Sequence, residues 1–262
     1  MQPSLFISHG APDLAITPSA VRDFLINFGK EHPRPDAIII ASAHYETLTP
    51  EIGAAADPAT IHDFGGFQPE LYEMRYRTEG DPELAERIRS VFAAEGIAAT
   101  LNPERGLDHG IWTPLILAYP GGEVPVVPVS VQPNENAGHH YRLGRALAKF
   151  RAENMLVAGS GHITHNLRAM FHAMRGGGVD PQTEQAIDAF TGWIGDRLRA
   201  GDRESLLKWQ DEAPFALENH PTPEHFMPLF VAYGAGGENP KAELAHSSKL
   251  YGAFNSDFWL FH

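Results

Sequence analysis

Short apolar runs separated by segments of helical periodicity constrain the fold of this chain more than any other feature. Residues 3–9 and 36–44 are rich in aliphatic side chains and bounded by Pro, Gly or charged residues, which is typical of strands buried on both faces. Similar runs follow at 124–131, where two prolines favour an edge or bulged strand, and at 154–159. Because helical segments separate the runs, we expect an α/β fold with a central, mostly parallel or mixed sheet and helices on both faces.

Capping residues mark the predicted helices. Thr17 and Pro18 suit the N-cap and first residue of the first helix, as Asp81 and Pro82 do for the second. Further helices are predicted at 139–152, 166–175, 180–200, 203–210 and 223–233, and further strands near residue 98 and at 242–248 and 252–261. We find no repeat or linker, so we expect one domain over residues 1–262.

Charge and composition exclude several classes of function. With a formal net charge of −13, the chain offers no basic stripe to a nucleic-acid backbone. It shows neither a secretion signal nor a candidate membrane span. We therefore expect a cytoplasmic protein without nucleic-acid or membrane partners. Because the sequence has no cysteine, any metal must be held by nitrogen and oxygen.

The 14 histidines are the informative excess, and several of them lie where strands are predicted to end. His9 ends the first strand, His44 ends the second, and His162 and His165 follow the strand at 154–159. Ligands of open α/β sheets bind beyond the carboxyl ends of the strands. These side chains are therefore expected at one rim of the sheet.

His225 is predicted to lie in the first turn of a helix, because Thr222 can cap that helix and Pro223 can begin it. A helix N-terminus disfavours the imidazolium form, and neutral imidazole is the form that binds metals. The residues alone predict a nitrogen-ligated metal in a crevice, but they do not identify a reaction.

The remaining candidates are less distinctive. His62 and His109 fall in loop-like segments and can either line the pocket or belong to turns. Six further histidines are interpreted as solvated: His32, His139, His140, His172, His246 and His262. Four aromatic residues can form a pocket wall, although each also fits a core position: Phe64, Phe67, Tyr72 and Trp112. A serine hydrolase is supported by Ser160 alone, because GSGHITH is not the G-x-S-x-G motif.

Six blocks spread over most of the chain carry a resemblance to a known family. They are SHGAP at 8–12, SAHYE at 42–46, HDFGGFQPELYE at 62–73, LDHGIWTPL at 107–115, GSGHITHNL at 159–167 and HPTPEHFMPL at 220–229. Together and in this order they resemble the DODA-type extradiol dioxygenases of the LigB superfamily. The resemblance implies a single-domain LigB-like fold and metal-dependent opening of a catechol-type ring, such as that of DOPA or protocatechuate, by dioxygen to a semialdehyde.

The resemblance also implies roles for individual residues. His9, His44 and His225 would bind one divalent metal, His165 would be the catalytic acid/base, and His109 would help to bind substrate or oxygen. The implied metal is Fe(II) for activity or Zn(II) as purified, and in a zinc form His165 can become a fourth ligand.

Neighbouring positions receive weaker roles from the resemblance. Glu224 can compete with the adjacent ligand position, because the LigB prototypes hold iron with two His and one Glu. His62 and Asp63 are expected only to shape the pocket, and His162 receives no role.

Two other functions stay open at this point. A zinc hydrolase would use the same three histidines, with His165 or Glu46 activating water. A non-catalytic protein would resemble the Memo-type members of the superfamily, which serve in interactions or signalling. For the dioxygenase, the expected partners are a small aromatic diol and dioxygen, and homo-oligomerisation is left open.

Overall fold

A computed structural model describes residues 1–250 and 252–262. The strands are β1 (Ser4–Ser8), β2 (Ile38–Glu46), β3 (Glu51–Gly53), β4 (Thr100–Asn102), β5 (Val126–Val131), β6 (Leu156–Gly161), β7 (Ala242–Leu250) and β8 (Phe254–Phe261). They form one sheet in the order β4-β3-β5-β2-β6-β1-β8-β7.

Helices connect the strands and cover both faces of the sheet. They are α1 (Ala20–Glu31), α2 (Pro69–Glu73), α3 (Pro82–Ala94), α4 (His109–Ala118), α5 (Ala137–Leu147), α6 (Leu167–His172), α7 (Pro181–Ala200), α8 (Arg203–Leu207), α9 (Trp209–Glu212), α10 (Ala216–Asn219) and α11 (Met227–Ala235). Short 3₁₀ helices lie at Pro12–Ala15 and Ala148–Glu153, and a π-helical turn follows α6 at Ala173–Gly177. Within the described ranges, no helix combines the length and the apolar character needed to cross a membrane.

The four central strands are parallel, which brings their carboxyl ends to one edge of the sheet. β6 pairs with β1 on one side and with β2 on the other, and β2 pairs with β5. β8 runs antiparallel beside β1, and β3 runs antiparallel beside β5. The predicted α/β fold with a mixed sheet is confirmed.

Alternating residues of the central strands pack into two hydrophobic cores. Phe6, Ile39 and Val157 pack with residues of α3, α5, α7 and α11 on one face. Ile7 and Ile40 pack with residues of α1 and α4 on the other. Because full burial of such a side chain contributes about 1.5–3 kcal/mol, both faces of the sheet hold the central strands in register.

The start of α1 differs from the prediction. The Ser19 hydroxyl accepts the backbone N–H of Arg22 at 3.2 Å and caps the helix, which begins at Ala20. The backbone N–H of Thr17 instead donates to the carbonyl of Asp13. Ser and Thr are both good N-caps, so the local sequence could not decide between them.

Of the two positions predicted for β5, edge or bulged, the edge position is wrong. β5 lies between β2 and β3, and β3 pairs with it only at Ile52 and Val129. A Cβ at Gly53 would lie 2.4 Å from the ring of Pro128, so this glycine makes room for the proline inside the sheet. The predicted irregularity is present, because the pairing with β2 shifts register near the end of that strand.

His140, predicted to be solvated, is fully buried in α5. Its Nε2 accepts the backbone N–H of Gln132, and its Nδ1 donates to the carbonyl of Asn136, each at 3.0 Å. Burial disfavours the charged ring and lowers the pKa of His140 to about 3.

This burial predicts a pH dependence of stability. Below the ordinary histidine pKa of about 6.5, His140 binds a proton in the unfolded chain but not in the folded protein. The free energy of unfolding therefore falls as the pH falls. His140→Gln removes that titration. Urea unfolding at several pH values should show the wild type losing up to about 1.4 kcal/mol per pH unit more than the variant, between about pH 6 and pH 4. If the wild type and His140→Gln lost stability in parallel as the pH fell, the prediction would be contradicted. The control is His172→Gln, a substitution of an exposed histidine in α6.

Candidate metal centre

Three histidine side chains converge at the carboxyl edge of the parallel strands. His9 follows β1, His44 lies near the end of β2, and His225 lies in a turn before α11. The Nε2 atoms of His9 and His44 are 3.1 Å apart, and those of His44 and His225 are 3.2 Å apart. The structure therefore brings the three predicted ligands together.

The setting of His225 corrects the predicted helix start. The backbone N–H groups of Phe226 and Met227 donate to the carbonyl of Pro223, which closes a turn. α11 begins only at Met227, with Pro228 in its first turn. Pro223 thus belongs to the turn, and His225 is not in the first turn of a helix.

Two glycines of β6 let this turn approach the sheet. A Cβ at Gly161 would lie 2.1 Å from the carbonyl oxygen of His225, and one at Gly159 would lie 2.0 Å from that of Pro228. The backbone N–H of His162 donates to the carbonyl of His225 at 2.8 Å. The two glycines therefore fix how close His225 comes to the other imidazoles.

An oxygen atom faces Nδ1 of each converging imidazole. The pairs are His9 with Ser160 Oγ at 3.0 Å, His225 with Glu224 Oε1 at 2.9 Å, and His44 with Asp63 Oδ2 at 3.5 Å. The Ser160 hydroxyl donates to the carbonyl of Gly110 and so accepts from His9, and a carboxylate can only accept. The hydrogen therefore sits on Nδ1 of His9 and of His225, and the Asp63 carboxylate near Nδ1 of His44 favours the same form there. In this form the Nε2 lone pairs face one another.

Burial keeps these rings uncharged. It lowers the pKa of His44 to about 3 and holds the pKa values of His9 and His225 well below the ordinary range, and neighbouring imidazoles lower all of them further. Burial and these neighbours, rather than a helix terminus, explain why His225 is neutral.

The donor set fits a single divalent cation. Imidazole nitrogens bind zinc at about 2.0–2.1 Å, so adjacent ligands on one ion stand about 3.0–3.4 Å apart. The Nε2 atom of His44 stands at such a distance from those of both His9 and His225. Without a cation, three acceptor lone pairs would oppose one another. Three protein ligands also leave positions for other molecules.

His165 lies beside this cluster. Its ring stacks on that of His225 with centroids 3.4 Å apart, and its Nδ1 is 3.7 Å from Glu224 Oε1. Burial lowers its pKa to about 2, with other histidines adding to the effect. His165 is thus uncharged, and both its role as acid/base and its role as a fourth ligand stay predictions.

His109 begins α4, whereas the sequence suggested a loop. Its Nδ1 and its backbone N–H both donate to Asp63 Oδ1 at 3.0 Å, and its ring centroid is 4.0 Å from that of His44. Asp63 therefore joins two histidines of the site, a larger role than the pocket shaping expected from its block.

The remaining predicted site residues differ in whether they face the cavity. Glu224 directs its Oε1 to Nδ1 of His225, so it faces that ring as a hydrogen-bond partner. His162 is buried in the cavity wall, and within the described structure neither of its ring nitrogens has a hydrogen-bond partner. His62 has its Nε2 3.0 Å from the carbonyl of Met74 and does not line the cavity.

A buried network behind His44 was missed by sequence reasoning. The Ser42 hydroxyl accepts the backbone N–H of His44 at 3.2 Å and donates to Asp108 at 2.6 Å. Arg105 donates to Asp108 at 2.5 Å and to the carbonyl of His44 at 3.3 Å. The only sequence signal was that Asp108 and Ser42 fall inside two of the six blocks.

The histidines open into a cavity of about 270 Å³. Of the four aromatic residues that could form a pocket wall, Phe64 and Phe67 line the cavity. Trp112 is instead buried in the core, and Tyr72 is not part of the lining. Such a volume lies near the lower limit for ligand pockets. The site therefore suits a small, single-ring molecule.

Comparisons with known proteins agree with this geometry. Residues 23–258 match the family described as the catalytic LigB subunit of aromatic ring-opening dioxygenase. The chain is 40% identical over 252 residues to a 4,5-DOPA dioxygenase extradiol of Beta vulgaris, covering 94% of this chain and 91% of that one. The 4,5-DOPA dioxygenase extradiol of Escherichia coli K12 is 35% identical, over 91% and 87% of the two chains. A crystal structure of an uncharacterized Escherichia coli K12 protein superposes with a TM-score of 0.80 at 26% identity, and the match covers 100% of both chains.

The hydrogen bond behind His9 predicts an effect on metal affinity. Ser160→Ala leaves Nδ1 of His9 without its acceptor, and losing such a partner typically weakens metal binding about 10–100-fold. Zinc titration against a competing chelator measures the change. Ser4→Ala, which removes a buried hydroxyl bonded to the carbonyl of Ala232, is the control and should bind as the wild type does. Equal affinity of Ser160→Ala and wild type would show that Ser160 does not orient His9.

Proposed function

We propose, for a chain that belongs to the LigB family of aromatic ring-opening dioxygenases, that His9, His44 and His225 hold the metal at which a catechol-type ring is opened. The enzyme is an extradiol dioxygenase, which breaks the ring bond beside the diol and incorporates dioxygen. The observation that carries the ligand assignment is the convergence of three neutral Nε2 atoms whose Nδ1 atoms all face oxygen.

The identity of the metal is part of the proposal. We infer Fe(II) in the active enzyme, with Zn(II) as a competing occupant, because three neutral imidazoles suit both ions. When bound, the ion supplies a Lewis acid for the catechol oxygens and allows electrons to pass to dioxygen.

His165 is proposed as the acid/base. Its buried, uncharged ring lies beside the ligand His225 and can take the proton of a catechol hydroxyl. The carboxylate of Glu224, 3.7 Å from its Nδ1, favours the imidazolium that results. The same proton can return to the substrate when the ring opens, so His165 is unchanged at the end of the cycle.

His109 is proposed to orient the diol or dioxygen. Because Asp63 accepts from its Nδ1, its Nε2 is left to accept a hydrogen bond from a ligand. Its ring is 4.0 Å from His44 and 5.4 Å from His9, centroid to centroid. A molecule bound at the metal would therefore lie close to His109.

The hydrolase and non-catalytic alternatives receive less support. A serine hydrolase is disfavoured because the Ser160 hydroxyl is held between His9 and the carbonyl of Gly110, which favours a structural role over that of a nucleophile. The comparisons weigh against the zinc hydrolase and the non-catalytic protein. Both relatives described above are named as dioxygenases.

The reaction is tested with metal-loaded enzyme. Protein reconstituted anaerobically with Fe(II) should consume dioxygen when given a catechol and form a yellow semialdehyde. Bound zinc with no oxygen uptake on any catechol, even after exchange for iron, would instead favour the hydrolase, and a protein that binds neither ion would favour the non-catalytic alternative.

Substitutions separate the acid/base from the ligands. His165→Ala should keep about one metal per chain and lose about 10²–10⁴-fold in kcat, the usual contribution of general acid/base catalysis. His9→Ala should lose the metal itself. Elemental analysis and oxygen uptake on the same samples give both values. If His165→Ala also lost its metal, His165 would be a ligand.

A further inference from the structure

We propose that Arg168 and Glu218 determine which ring substituents the enzyme accepts, by binding the charged end of the substituent in a second pocket beside the histidine-lined cavity. Arg168 binds a carboxylate there, and Glu218 binds an ammonium group. The inference rests on the proposed function and adds to it the residues that recognise the part of the substrate that does not react.

The second pocket is a surface hollow of about 470 Å³ that shares His165 and Leu167 with the cavity. The ring of His165 stacks on that of the proposed ligand His225, so the hollow begins next to the metal centre. Leu167 is 42% exposed and offers an apolar surface to the carbon stem of a substituent. A substituent that leaves the cavity past these two shared side chains therefore enters the second pocket.

Two hydrogen bonds fix the facing walls of this pocket. The backbone N–H of His165 donates to the carbonyl of Asn219 at 2.7 Å, and the side-chain amide of Asn166 donates to the carbonyl of Glu218 at 3.0 Å. The start of α6 is thereby held against the end of α10. Arg168 and Glu218 consequently line one pocket from two different helices.

The two side chains bring opposite charges to the pocket. An arginine guanidinium can hold a carboxylate through two parallel hydrogen bonds, and a glutamate carboxylate accepts from an ammonium group. Both residues are exposed, so water and salt screen each contact, and each is worth up to about fivefold in affinity. The pair suits a substituent that carries both charges, as an α-amino acid group does.

A matched pair of catechols tests the role of Arg168. 3-(3,4-Dihydroxyphenyl)propionate and 4-propylcatechol differ only in a terminal carboxylate against a methyl group. With the Fe(II) enzyme, Arg168→Gln should lower the kcat/KM ratio of the propionate to 4-propylcatechol by about two- to fivefold, through KM rather than kcat. Arg168→Lys keeps the charge and should keep most of the ratio. Anaerobic calorimetry with the zinc-loaded protein should show the same change in relative affinity without turnover.

The control for charge is Arg175→Gln, which removes an exposed arginine that lines neither pocket and should leave the ratio as in the wild type. An unchanged ratio in Arg168→Gln, or an equal fall in Arg175→Gln, would overturn the assignment of Arg168.

The length of the substituent shows whether the second pocket is responsible. The carboxylate of 3,4-dihydroxybenzoate is attached to the ring itself and stays inside the cavity. Its kcat/KM relative to unsubstituted catechol should therefore respond little to Arg168→Gln. If the benzoate and the propionate responded equally, Arg168 would act through the general field of its charge, and the inference would be wrong.

The role of Glu218 is tested with 3,4-dihydroxyphenylalanine, which adds an α-ammonium group to the propionate. Glu218→Gln should lower the kcat/KM ratio of the amino acid to the propionate by about two- to fivefold, whereas Glu212→Gln on exposed α9 should not. An unchanged ratio in Glu218→Gln would contradict this role. If the wild type neither binds nor opens any of these catechols, the proposed function fails; if it opens them and both pocket variants keep the wild-type ratios, only this inference fails.

Discussion

Three uncharged imidazoles with their acceptor nitrogens facing one another are the constraint on which the rest of this structure depends. Separations of 3.1 and 3.2 Å between these nitrogens would leave buried acceptors unsatisfied, and each such group typically costs about 1–3 kcal/mol. A cation bound there would remove this cost, and folding and metal binding would then be thermodynamically linked. The hydrogen-bond partners of the rings, the burial of the site and the close approach of the His225 turn all serve this one arrangement.

The site draws its parts from segments far apart in the chain. β6 contributes no ligand, yet the GSG sequence at its end supplies the acceptor for His9 through Ser160 and lets the His225 turn reach the sheet through Gly159 and Gly161. Asp63 similarly joins His44 and His109. A loop, a strand end and a turn thus hold the three imidazoles together, and the rings would already be oriented for a metal before it binds.

Sequence patterns predicted the fold class and the convergence of the imidazoles, because both follow from short stretches of sequence. The periodicity of a stretch identifies a strand, and residues at the carboxyl ends of parallel strands meet at one edge of the sheet. These patterns gave wrong predictions where contacts between distant residues determine the structure. Pro128 suggested an edge strand, but Gly53 accommodates it inside the sheet. His140 lies in an amphipathic helix whose register alone did not show that backbone groups would satisfy both of its nitrogens. The role of Ser160 depends on His9, 151 positions away, and no local signal reports such a pair.

The position of β1 has a consequence for biosynthesis. This strand, which leads directly to His9, pairs with β6 through Leu5 and Ala158 and with β8 through Ser4 and Phe261. A nascent chain therefore cannot complete the pairing of the strand that precedes His9 until β8 has left the ribosome. Because such long-range pairings form slowly, the apolar edges of β1 stay open until both of its partner strands have been made.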